Sequence, residues 1–335
     1  MSTSEPGQRS QPPGLTWSWG HALVGAVYAI PAAVVAMIDP ALGVPLAVGV
    51  LPAAIIGIPA RRRERIRILL IGTLAGASVF VGGLLSHLPM PATAVLLAAT
   101  VAAAALTASM ASAGRVVLAL CAPMVGVGLS YGDYAESIAT FALLTAGAAF
   151  AWVVALCWPE RAAPERPQTP LPPRHAMLEY GARMGVAAAL TYAIAASLGL
   201  DHPGWAPAAC LLVARPQLDL LQQRGGARVL SVTVGALAAV LLLWLQPSNA
   251  TLAFVCVAML GAIAGTAGSR WYITSAFTTL LVFVMLLNGH TDETVAKVNE
   301  RVGETVLGVA AAYLFGWAIP VLRSRLTRQT GEPTG

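Results

Sequence analysis

Charge is scarce in this chain: Asp, Glu, Lys and Arg make up 10% of its 335 residues, against about 25% in soluble globular domains. That shortage excludes a water-facing globule. A hydrophobic share of 57% excludes a disordered chain as well. Lysine is nearly absent, the cations being nineteen Arg and the single Lys297. These Arg punctuate apolar runs instead of clustering on a folded domain, so the net charge of +5 implies no nucleic-acid partner. Cysteine is sparse too: Cys121, Cys157, Cys210 and Cys256 each sit singly inside apolar stretches, without the spacing of a metal site or redox pair, and read as small core residues. Enzyme signatures are missing: there is no HExxH, no GxSxG in a strand–turn–helix context, no Walker loop and no paired-Cys zinc motif. The expectation is a non-enzyme without cofactor or metal. A small-residue cleavage pattern is lacking before the first apolar run, so that run is expected to stay in the mature protein.

What the chain has in abundance is apolar sequence, in runs close to the roughly 20 residues of one bilayer crossing. Six fall at 20–38, 41–59, 66–87, 91–111, 114–130 and 136–158, and six more at 179–199, 203–221, 228–246, 250–268, 270–288 and 299–321. Only helices or closed barrels satisfy the backbone in lipid, and these runs lack the period-two alternation of barrel strands. The expected fold class is therefore all-α, a polytopic membrane protein of about 12 transmembrane helices. The second span of each half is the least secure, because Pro45, Pro52 and Pro59, or Pro207 and Pro216, interrupt it.

Five regions follow: a cytoplasmic tail (1–19), a first six-helix repeat (20–158), a Pro-rich cytoplasmic linker (159–176), a second six-helix repeat (177–322) and a basic tail (323–335). With the N-terminus cytoplasmic, the Arg-rich connections of both halves lie inside, as the positive-inside rule requires. Outside lie Asp39, His87, Asp133, Asp201, His202 and His290, the histidines reading as solvated loop positions. An internal repeat supports the division: Gly72–Gly76 aligns with Ser231–Gly235, Arg65 with Arg224, Trp152 with Tyr313 and Pro159 with Pro320. An even number of spans per copy makes the repeat parallel, about an axis along the membrane normal.

Ionisable residues inside the apolar runs are costly and so become the candidate site. Arg215 precedes Pro216, which suits an interrupted helix with a cation at the break, able to hold an organic carboxylate; it could equally snorkel to headgroups at a helix end. Arg115 and Arg270 open the fifth spans, as interfacial anchors or as a positive vestibule for anions. Arg301 and Glu304 share one face of the last span, next to Glu300. They read either as a helix-surface ion pair or as a proton site in which Glu304 titrates under the influence of Arg301. Asp39 and Asp201 follow the first span of each half, as turn residues or as points of proton entry.

The stretch Trp205, Pro216, Arg224 and Arg228-Val-Leu-Ser231-Val232, closing on Gly235, resembles the W…P…R…RxxGTxxG pattern of the fusaric-acid-resistance-like family, in its aromatic acid exporter group. Ser231-Val232 stands where Gly-Thr is usual. Arg301-Val-Gly-Glu304-Thr305-Val-Leu-Gly308 is similar to that family's RxxDTxxG, with Glu for Asp. The resemblance implies efflux of aromatic or other organic carboxylates across the bacterial inner membrane, driven by the proton gradient. A more distant likeness to plant aluminium-activated malate transporters implies anion conduction without proton coupling. A non-transporting membrane scaffold is the third reading. On the first, an anion meets Arg115 and Arg270, engages Arg215 and leaves toward the acidic outer face. The partners expected are a small organic anion, the bilayer and a second copy of the chain as a homo-oligomer.

Overall fold

The computed structural model describes residues 14–162, 170–214, 218–269, 271–287 and 294–329, and among them every regular element is helical. In chain order these are α1 (Trp19–Ile38), α2 (Pro40–Ile56), α3 (Ile66–Ser86), α4 (Met90–Met110), α5 (Gly114–Gly128), α6 (Tyr134–Cys157) and α7 (Arg174–Ser197). There follow α8 (Trp205–Val213), α9 (Leu218–Trp244), α10 (Asn249–Gly265), α11 (Trp271–Leu287), α12 (Thr294–Tyr313) and α13 (Ile319–Gln329). One turn of π-type winding lies inside α5 at Val117–Cys121, and another joins α12 to α13 at Leu314–Ala318.

Among the described residues, six helical stretches are long and apolar enough to cross a membrane: Trp19–Ile38, Arg62–Ser86, Met90–Met110, Tyr134–Cys157, Gly226–Trp244 and Asn299–Arg323. Shorter apolar helices at Pro40–Ile56, Gly114–Gly128, Asn249–Gly265 and Ile273–Val282 lie between them.

Local chemistry sets the boundaries. The Asp39 carboxylate accepts the Ala41 N–H at 2.9 Å with Pro40 as the first helical residue, Asp133 accepts Ala135 N–H at 3.2 Å, and the Ser248 hydroxyl accepts Thr251 N–H at 3.2 Å. Gly57, with φ of 71°, ends α2 in a conformation that side chains disfavour. Pro45 and Pro52 do not break α2, which is continuous; each removes only one N–H from a ladder whose remaining bonds hold. In the second half the expected span 203–221 stops at Val213, and the residues from Leu218 onward form the first turns of α9.

In lipid, helices associate mainly through close packing, since the tails are as apolar as the side chains. α1 packs on α10 and α4 on α7; α6 lies against α2 and α3, and α12 against α8 and α9. A Cβ on Gly25 would overlap the Leu260 carbonyl oxygen, and one on Gly185 would lie 2.6 Å from that of Ala98, so these backbones touch. One buried apolar cluster joins α1, α2 and α6 to α10 and α11, and another joins α4 and α5 to α7, α8 and α12.

The four cysteines do not share one role. Cys210 and Cys256 are buried and Cys121 half-buried, but Cys157 is exposed, at the last turn of α6.

Candidate functional site: a buried guanidinium–carboxylate cluster

α12 carries Arg301 and Glu304 about one turn apart, and both are enclosed, at 5% and 2% exposure. The expected alternative of a helix-surface pair is thereby corrected: this face of α12 turns into the bundle, toward α8 and α9. The separation from Arg301 Nη1 to Glu304 Oε2 is 3.7 Å, beyond hydrogen-bond length. Neither Arg301 Nη1 nor Glu304 Oε1 has a hydrogen-bond partner.

Above the guanidinium lies Trp205, the first residue of α8, with the Arg301 Cζ 3.5 Å from the ring centroid. The π face attracts the cation without consuming its N–H donors. Glu300 Oε1 accepts the backbone N–H of His202 at 3.2 Å, tying α12 to the turn that leads into α8. Glycine brings these helices together: a Cβ on Gly308 would overlap the Ala206 carbonyl oxygen and lie 2.8 Å from Cys210 N. Glu304, one turn earlier, is thus held beside the start of α8.

α9 adds Arg228. Its Nη1 donates to the Ser275 hydroxyl on α11, which lies 3.2 Å from Ser231 Oγ, and its buried Nε has no partner. Arg228 lies within electrostatic reach of Arg301, and Glu304 faces Glu300 and Asp201 as well as Arg301. Ionised groups in such surroundings cost several kcal/mol each unless their partners are good. The partners seen here leave donors on both guanidiniums unfilled.

The other expected residues are dispersed. Arg115 is exposed at the start of α5, Asp39 is the exposed cap of α2, and Asp201 is exposed in the turn before α8. Arg215 and Arg270 lie outside the described residues. Two cavities, of about 330 Å³ among α3, α4 and α5 and about 390 Å³ beside Trp17 and Gly57, are lined by residues outside the charged cluster. Sequence reasoning quoted Arg228 in the family pattern but counted it among the cytoplasmic cations and not as a site residue. The signal for it is a Leu218–Gln223 stretch free of Pro and Gly, which lets the helix start well before the apolar run and carries Arg228 into the bundle.

A second buried guanidinium is fully used. Arg65 has no exposed surface; its Nε donates to Pro59 O, its Nη1 to Ala155 and Trp158 O, and its Nη2 to Pro159 and Ala60 O. It closes the C-terminal end of α6, where carbonyls lack helical partners.

Residues 189–315 match the family model described as Fusaric acid resistance protein-like. The segment spans α8 to α12 and holds Trp205, Arg228, Ser275, Arg301 and Glu304 together. No curated protein and no solved structure matches the chain.

Proposed function

We propose that this protein is a secondary transporter that moves organic carboxylates, aromatic ones included, out of the cell across the bacterial inner membrane, and is not an enzyme. The observation that carries the reading is the pair of guanidiniums, buried Arg301 and half-buried Arg228, with donors left unfilled inside an apolar helical bundle. A carboxylate is the ligand that suits them, because it accepts two N–H bonds in the plane of a guanidinium and brings the opposite charge. Efflux is the direction favoured by the family's description as resistance-related.

The architecture that goes with this function is two parallel six-helix repeats crossing twelve times, with both termini cytoplasmic. Its support is the pairing of helices: most neighbour relations in α1–α6 have a counterpart six helices later. Thus α1 on α10 answers to α7 on α4, α2 on α6 to α8 on α12, and α5 on α8 to α11 on α2. Gly147, which meets the Leu46 carbonyl, corresponds to Gly308 on Ala206. The charged cluster exists in the second copy alone, since Thr140 and Leu143 hold the places of Arg301 and Glu304. Arg115, Arg215 and Arg270 are assigned to the cytoplasmic approach, Asp39 and Asp201 to the outer mouth, the bilayer being the surrounding medium and a homo-oligomer the assembly.

The test is flux of radiolabelled benzoate, salicylate and succinate in proteoliposomes. Arg301→Gln and Arg228→Gln should each lower the flux at least about tenfold with the protein still folded. Flux unchanged in both variants would refute the site. Dependence on a pH gradient separates a coupled transporter from an anion channel, and no flux with any carboxylate would leave the scaffold reading.

A further inference from the structure

Glu304 is itself a carboxylate, seated beside a guanidinium that has donors to spare. The gap of 3.7 Å and the partnerless Glu304 Oε1 and Arg301 Nη1 show a pair that is close in charge but not locked by hydrogen bonds. Around it, Arg301 and Glu300 come from α12, Arg228 from α9, and Asp201 and His202 from the turn into α8, while the Cys210 main chain in α8 lies against Gly308 one turn on. α7 contributes Tyr180 and Tyr192 to the apolar cluster it shares with α12. Arg228 and Arg301 face Glu300 and Glu304, with Asp201 in the exposed turn beyond. One further carboxylate would leave an uncompensated negative charge, which is costly in an apolar bundle.

We infer that the transported carboxylate takes the place of Glu304 at Arg301, and that Glu304 gains a proton as it is displaced, so that one anion and one proton occupy the cluster together. This deepens the transport reading above and rests on it. In the exchange the Glu304 carboxylate takes one proton from water to become the neutral acid, Arg301 stays protonated, and the cargo carboxylate accepts its N–H bonds. The charge of the cluster is unchanged throughout. Cargo and proton then travel the same way, in contrast to an exchange in which an incoming proton expels the anion. Efflux by this route runs down the cargo's own gradient and removes one cytoplasmic proton with each acid.

The experiment is calorimetric titration of the purified full chain in nanodiscs with benzoate, salicylate and succinate from pH 6 to 9, in two buffers of different protonation enthalpy. The expected result is proton uptake approaching one per anion bound toward the upper end of the range. There the Kd should rise about tenfold per pH unit, the signature of one linked proton. Glu304→Gln should still bind, take up no proton and change its Kd less than about twofold over the range, while Glu304→Asp should retain the linkage. Binding without proton uptake in the unmutated protein, proton release on binding, or uptake that persists in Glu304→Gln would each overturn the inference and leave the transport reading standing. Absence of binding by all three probes, or binding unaffected by Arg301→Gln and Arg228→Gln, would overturn both.

Discussion

Arg65 and Arg301 are both buried guanidiniums, and their difference separates a structural arginine from one that awaits a ligand. Every N–H of Arg65 meets a backbone carbonyl, whereas Arg301 is held by a ring face and a loose carboxylate. Arg65→Ala would strand carbonyls at the end of α6, at roughly 1–3 kcal/mol for each buried group left unpaired. The expected outcome is a lower melting temperature in detergent than for Arg62→Ala, whose side chain is exposed; equal melting temperatures would refute the role. Sequence alone could not make this distinction. Arg65 sits in a run of five cations between 61 and 67, and nothing in their order says which one folds inward. Arg301 and Glu304 were legible because ionisable groups in an apolar run are few, but their burial depends on which face of α12 meets α8, and that is a property of packing.

At the scale of elements, the contact of α12 with α8 decides whether the cluster forms. Gly308 permits it, so Gly308→Leu should push the helices apart, abolish anion flux and lower stability. Gly303 is the control on the same helix: a Cβ there meets nothing within 4 Å, and Gly303→Ala should be neutral or stabilising by up to about 1 kcal/mol. Flux and melting temperature measured side by side check both. Helices as such were plain from the apolar runs, as was the turn at Asp39 between the first two. A break in the span 203–221 was legible in Arg215-Pro216, but the end of α8 already at Val213 and the start of α9 already at Leu218 were not, because hydropathy runs on through the whole stretch.

For the whole molecule, the proposed twelve crossings make a labelling pattern. With native cysteines removed, Asp133→Cys and Ser248→Cys should react with an impermeant maleimide in intact cells, and Arg62→Cys and Arg161→Cys only after permeabilisation. Labelling of Arg62→Cys from outside would reverse the orientation, and Asp133→Cys and Ser248→Cys reacting on opposite sides would break the parallel repeat. The number of crossings was read from run lengths. How the two halves engage was not, because the seams of α1 on α10 and α4 on α7 join residues distant in the chain, and they are made by small residues that leave little mark on hydropathy.

Those two seams, each with main chain against main chain at Gly25 and at Gly185, act as rivets between the halves. If the proposed transport function holds, a molecule fastened in this way would not open by rocking one half over the other. On the proposed transport function, access would alternate where the halves meet in smaller contacts, α5 on α8 and α2 on α11, with the nine-residue α8 the shortest lever among the described helices.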